Sequence, residues 1–173
     1  REALASTLGA RCGLVRGLFF DKPPAQPWSL PWHQDKTIAV ADHSLPTDYF
    51  RNPTRKEGVP HVEAPRRLLE RMLTLRIHLD DVTDSNGPLV VLPRSHHSGA
   101  EQKENAAVST SAPTSVLAAS GDVLLMRPLL SHCSGKSLSN CRSHRRIVHL
   151  EFAADRMLPD GFAWHRFLPV NDC

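Results

Sequence analysis

Long apolar runs are missing from this 173-residue chain. None approaches the roughly 18 residues that a membrane-spanning helix needs, and no basic stretch followed by an apolar one opens it as a secretory leader would. The expectation is a soluble, cytoplasmic protein with no membrane partner. Runs of like charge are equally scarce. The net charge is only +3, and the pairs Arg66-Arg67 and Arg145-Arg146 are too short for the basic patch that a nucleic-acid partner requires. The four cysteines, at 12, 133, 141 and 173, include no CxxC pair, which removes a disulfide scaffold and leaves reduced thiols. No internal repeat appears, and helical periodicity is thin beyond the first residues. What remains is 40% hydrophobic and 23% charged, an ordinary globular composition. At this length one domain, 1–173, is expected. The chain opens at Arg1 without a methionine, so a segment ahead of it is expected to be missing.

Read in order, the chain is a series of short strands punctuated by turns. Residues 1–8 look like a helix end closed by Gly9. Residues 12–20 (CGLVRGLFF) are rich in strand formers and stop at Asp21-Lys22-Pro23-Pro24, where two prolines end any ladder. A proline-rich loop with Trp28 leads into Trp32-His33-Gln34-Asp35, and residues 37–41 continue as a strand. Residues 44–65 carry no sustained period and are expected to be a long loop, either a lid over a site or a surface excursion. After a helical turn or two at 66–72, residues 73–80 alternate apolar and polar without a break, with Arg76 and His78 opposite the leucines. Alternation alone leaves open which of the two faces is the inner one. Asp84-Ser85-Asn86-Gly87-Pro88 predicts a hairpin into 89–92, and 93–99 a further turn in which His96-His97 are more simply exposed than ligating. Residues 100–107 are helix formers. Strands at 116–119 and 123–126 flank Gly121-Asp122, and 145–152 alternates with Arg145, Ile147, His149 and Glu151 on one face. Many short strands with little helix argue a sandwich or jelly roll.

Chemistry concentrates in two places. On an extended segment His33 and Asp35, two positions apart, point to the same face, while Gln34 points away. A distant histidine, His132, would complete a 2-His-1-carboxylate triad, the set that leaves positions open on a non-haem Fe(II) ion. Cys133 adjoins His132 but on a strand points away from it.

Four blocks, in order, make this specific: Trp32-His33-Gln34-Asp35; Asn86-Gly87-Pro88-Leu89 with Leu92-Pro93 and Ser95-His96; Gly121-Asp122-Val123; and His132-Cys133-Ser134 followed by the arginine strand. With them the chain resembles the phytanoyl-CoA dioxygenase family of Fe(II)/2-oxoglutarate-dependent oxygenases over nearly its whole length. The resemblance implies a mainly β, cupin-like double-stranded β-helix with a few flanking helices. It implies His33, Asp35 and His132 as iron ligands, with 2-oxoglutarate as co-substrate and O₂ as oxidant. It implies Arg145 on the far carboxylate of 2-oxoglutarate, with Arg146 next in line and then Arg142, and Ser134 helping to hold the same carboxylate. Lys22 and Arg16 are brought forward as groups reaching the cofactor or substrate, with exposed charges as the alternative. Where the family usually has glycine, this chain has Arg94. Asp35 is an acid, which disfavours the halogenase variant of the chemistry. The implied reaction hydroxylates or otherwise oxidises a small organic substrate and releases succinate and CO₂. The alternatives are a catalytically silent jelly-roll binding protein and a zinc hydrolase using the same three ligands. The substrate and the oligomeric state have no sequence signal.

Overall fold

The computed structural model describes residues 2–24, 28–97 and 112–170. The described chain carries two short α-helices, α1 (Glu2–Leu8) and α2 (Arg66–Leu69). Its strands are β1 (Gly13–Lys22), β2 (Leu30–His33), β3 (Thr37–Ala39), β4 (Arg51–Lys56), β5 (Val59–Glu63), β6 (Met72–His78), β7 (Leu89–Val91), β8 (Thr114–Val116), β9 (Val123–Met126), β10 (His132–Ser134), β11 (Arg145–Ala153) and β12 (Leu168–Pro169). They form three sheets, ordered β12-β1-β11-β6-β9, β2-β10-β7-β8 and β3-β5-β4. This is the mainly β, jelly-roll class expected from the many short strands. Among the described residues no helix is long and apolar enough to cross a membrane. Two compact units are distinguished, Arg1–Gly17 with Lys36–Leu75 and Leu150–Cys173, and Leu18–Asp35 with Arg76–His149.

In the first unit, α1 closes where Gly9 turns left-handed at φ +90° and its N–H donates to Ala5 O at 2.9 Å. Leu4 and Leu8 on this helix bury against Cys12, Leu73 and Phe152, each leucine contributing about 1.5–3 kcal/mol of apolar burial. The long loop expected over 44–65 is largely absent. Residues 51–63 instead make the hairpin of β4 and β5, with Lys56 opposite Val59 and Thr54 opposite His61. Glu57 (φ 49°) and Gly58 (φ 82°) form its two-residue turn, both residues taking the positive φ that matches strand twist. The strand was illegible because β4 is an edge strand, exposed at all six positions and interrupted by Pro53. Such a strand has no apolar face to alternate.

The second unit holds the four-stranded sheet. His132 in β10 lies opposite His33 in β2 on one side and Val91 in β7 on the other, all antiparallel. The hairpin expected between β6 and β7 does not form, because β6 belongs to the five-stranded sheet and β7 to the four-stranded one. The turn signal itself is real. A single 3₁₀ turn, Asp84–Asn86, is capped by Thr83 and ended by Gly87 at φ 66°. Buried Asn86 accepts from Thr83 N at 3.0 Å and donates to Asp81 O at 2.8 Å. Turn residues specify a change of direction, not the strand's next partner. On β6 it is the polar face, Thr74, Arg76 and His78, that is buried. The helix expected over 100–107 lies outside the described residues.

Arg94, where glycine was the expected residue, takes the left-handed φ of 66° that a glycine adopts without cost. Arg94→Gly is therefore expected to stabilise the fold by about 0.5–1 kcal/mol, raising the calorimetric Tm by about 1–3 °C.

Candidate metal centre

The backbone register brings the candidate ligands together. His33 closes β2 and His132 opens β10 in the opposed position, so their rings lie 4.2 Å apart, centroid to centroid. Beyond β2 the Asp35 N–H donates to Pro128 O at 2.9 Å, and Gln34, turned away as alternation requires, donates to Leu129 O at 2.6 Å. These two bonds hold Asp35 beside the histidines. Its Oδ1 is 3.8 Å from His33 Nε2 and its Oδ2 is 3.7 Å from His132 Nε2. All three candidate ligand atoms lie within 4.8 Å of one another.

The hydrogen bonds suit a metal. His33 Nδ1 faces Pro31 O at 2.7 Å and His132 Nδ1 faces Leu130 O at 2.8 Å. A carbonyl can only accept, so Nδ1 carries a hydrogen in both rings, which leaves each Nε2, on the Asp35 side, as the atom that can ligate. Burial, the largest influence, holds the His132 imidazole below its usual pKa despite the opposing pull of Asp35. It is kept in the neutral form that ligates. Asp35 Oδ2 is buried with no hydrogen-bond partner. Two imidazole Nε2 atoms and an unsatisfied carboxylate oxygen fit a divalent cation of the non-haem iron kind.

Beside this triad is a cavity whose lining includes Ser134 and two arginines, Arg76 and Arg145. Lys22, at the end of β1 and fully buried, donates to Ser134 Oγ at 2.7 Å, Gly87 O at 3.2 Å and Gly135 O at 2.5 Å. Burial pushes its ammonium down to about 8, with Arg145 and then Arg76 adding to the effect. Arg145 begins β11 on its buried face and is 2% exposed. Its Nη2 donates to Ser134 Oγ at 3.4 Å, while its Nε is buried without a partner. Ser134 in turn donates to Gly87 O at 3.1 Å. The Trp28 ring faces both cations, 4.5 Å from Lys22 Nζ and 5.5 Å from Arg145 Cζ.

The remaining arginines separate cleanly. Arg146 points outward, where its Nε and Nη2 hold Asp80 at 2.9 and 2.6 Å, and Arg142 is exposed. Arg16 lies in the other unit, 3.4 Å from Glu151, and is not among the residues lining the cavity. The His96 and His97 rings lie 4.0 Å apart, tilted by 39°, outside the triad. Cys133, expected to point away, is half-buried and does line the cavity, with burial pushing its thiol pKa up. Sequence reasoning left Arg76 unassigned. Its signal was the alternation of β6, in which three polar residues share a face that only a polar-lined cavity could bury.

A family model described as phytanoyl-CoA dioxygenase (PhyH) matches residues 2–147. The chain belongs to the phytanoyl-CoA dioxygenase family. Iron and 2-oxoglutarate are the cofactor and co-substrate associated with it. Among solved structures, the non-haem monooxygenase ThoJ in a nickel complex is similar, with a TM-score of 0.61, 19% identity, and cover of 98% of this chain and 55% of that one. The α-ketoglutarate-dependent epimerase SnoN of nogalamycin biosynthesis has a TM-score of 0.58 at 13% identity, covering 92% of this chain and 55% of its own. Iron-bound HygX from Streptomyces hygroscopicus has a TM-score of 0.54 at 18% identity, covering 88% and 62%. At these identities the likeness concerns the fold, and the chain spans little more than half the length of these proteins. No curated protein matches the sequence.

A Cβ on Gly87 would stand 2.5 Å from Gly135 O and 2.8 Å from Lys22 Nζ. Gly87→Ala must displace the ammonium that organises this end of the cavity. A loss of about 2–3 kcal/mol in denaturant stability is expected, together with weakened binding of any anion there, measured by calorimetric titration.

Proposed function

We propose that this family member is a non-haem Fe(II)/2-oxoglutarate-dependent dioxygenase that hydroxylates or otherwise oxidises a small organic substrate, releasing succinate and CO₂. The observation that carries the reading is the pairing, in one cavity, of the His33–Asp35–His132 set with a buried Arg145 guanidinium lacking a carboxylate partner. A zinc hydrolase or a silent binding protein would leave Arg145 unexplained.

In this reading His33, Asp35 and His132 hold the metal, and the Pro31 and Leu130 carbonyls fix the tautomers that do so. Bound iron with 2-oxoglutarate and O₂ supplies the oxidising chemistry. The chain's own residues bind and orient. Arg145 offers a planar fork that remains charged in the cavity and holds the far carboxylate of 2-oxoglutarate, with Ser134 Oγ beside it. Lys22 locks Ser134 and the Gly87 turn in place and adds a second positive charge. Phe20, Trp28 and Leu89 line the same cavity with apolar surface that limits access of water. The whole reading, from small-molecule substrate to site residues, is tested first by anaerobic titration with Fe(II) and 2-oxoglutarate. A weak visible charge-transfer band is expected, and its absence in folded, iron-loaded protein overturns the proposal.

Arg145→Ala should weaken 2-oxoglutarate binding about 100-fold, the cost of removing one partner of a buried charge pair, with Fe(II) binding retained. Arg146→Ala should leave it within about twofold, since that side chain faces outward. Asp35→Ala should lose the metal and with it the band.

The co-substrate affinity should also depend on pH through Lys22. In the free protein its ammonium titrates near 8, and a bound dianion favours the charged form, so binding takes up a proton above that pH. Affinity is then at its full value below pH 8 and falls by up to about tenfold per unit above it. The dissociation constant measured from pH 6.5 to 9.5 checks this. A flat profile, or affinity rising with pH, contradicts it.

A further inference from the structure

Besides Arg145, and Lys22 bonded to Ser134 of its wall, the cavity is lined by a further buried cation, Arg76, which the proposed chemistry does not use. The side chain comes from the inner face of β6 and is 6% exposed. Its Nη1 lies 3.3 Å from His149 Nδ1, its Nε has no hydrogen-bond partner, and no carboxylate among the described residues forms an ion pair with it. Asp35 is the one acid lining this cavity.

The formal charges decide what Arg76 is for. Fe(II), the Asp35 carboxylate and the 2-oxoglutarate dianion together leave one negative charge. Lys22, Arg145 and Arg76 set three positive charges against it. With metal and co-substrate in place the cavity therefore keeps an excess of positive charge, held away from water, and such an arrangement is costly unless an anion completes it. In the dioxygenase reading the far carboxylate of 2-oxoglutarate is assigned to Arg145. Lys22 is satisfied by three oxygen acceptors. Arg76 is the group left over. Around it Phe20 and His149 pack edge to face at 5.7 Å, and Trp28 lies 6.4 Å from Phe20, an aromatic wall suited to a flat or apolar body.

Resting on the dioxygenase reading above, we infer that Arg76 is a specificity-determining residue that holds an oxyanion of the primary substrate, a small molecule joining an apolar or aromatic body to one carboxylate or phosphate. The guanidinium recognises the oxyanion where it lines the cavity, and the aromatic wall takes the body. A neutral molecule of the same shape leaves the charge uncompensated and is rejected.

The test uses the anaerobic Fe(II)–2-oxoglutarate complex of the full chain and three probes: phenylacetate, phenyl phosphate and the neutral phenylacetamide. Calorimetric titration and the shift of the visible band report binding without turnover. At least one of the two anions should bind, the amide at least tenfold more weakly, and the better anion identifies the head group. Arg76→Gln should weaken that anion at least 30-fold while weakening 2-oxoglutarate far less than Arg145→Ala does, and the retained 2-oxoglutarate binding also shows that the variant's site is folded. Arg76→Lys should restore part of the binding. The inference is overturned if neither anion binds, if the amide binds as well as the anions, or if Arg76→Gln leaves the anions unaffected. It is also overturned if Arg76→Gln weakens 2-oxoglutarate as strongly as Arg145→Ala does, because Arg76 then serves the co-substrate. Failure of the wild-type protein to bind 2-oxoglutarate at all is a different result and brings down the dioxygenase reading itself.

Discussion

A buried ammonium ties together three segments that lie far apart in the chain. Lys22 ends β1, Gly87 closes the 3₁₀ turn before β7, and Ser134 and Gly135 end β10 and begin the loop beyond it. A lysine this deeply buried is unfavourable unless its donors are satisfied, and here three oxygens satisfy them. The arrangement is closed on every side. Gly87 must lack a side chain because a Cβ would occupy the space of Lys22 Nζ, and the left-handed φ of 66° suits glycine for the same position. Ser134 passes the constraint on to Arg145.

The same residues explain the electrostatics of the site. A cavity lined by two arginines and one acid, with the Lys22 ammonium bonded to Ser134 of its wall, is poor at holding itself together and good at holding anions. Lys22 and Arg145, each lowered by burial and by its cationic neighbours, record this frustration, and Arg76 is lowered by burial in the same way. In the proposed function that unfavourable energy is not waste. It is released when a dianion enters, so part of the binding energy is stored in the free protein as mutual repulsion.

The legibility of the site followed from local geometry. Alternation on one strand is a property of the backbone, so His33 and Asp35 on one side and Gln34 on the other could be read directly, as could the grouping of Arg145, Ile147, His149 and Glu151 on one face of β11, though not which face is the inner one. Alternation did not say which face of β6 is inner, because a polar face is buried only where the interior is itself polar. Arg76 was therefore visible as a residue and invisible as part of the site. The hairpin of β4 and β5 escaped for a related reason. An exposed polar edge strand has no periodic signal, and Pro53 argued against it. Arg94 was noticed as a departure, and its left-handed backbone shows that the turn keeps the shape glycine would have given it.

By itself the sequence determined the class of fold, the residue types of the triad, the terminus of α1 at Gly9 and which residues of β11 share a face. All of these depend on interactions within a few residues or on the period of a single strand. Tertiary structure alone decided that His132 lies opposite His33, that β6 and β7 part into different sheets, that Arg145 and not Arg146 enters the cavity beside Lys22, and that Arg76 joins them. Each of these depends on which strands pair and in what register, and register is set by the packing of distant segments, where a slip of one residue exchanges every inward side chain for its outward neighbour.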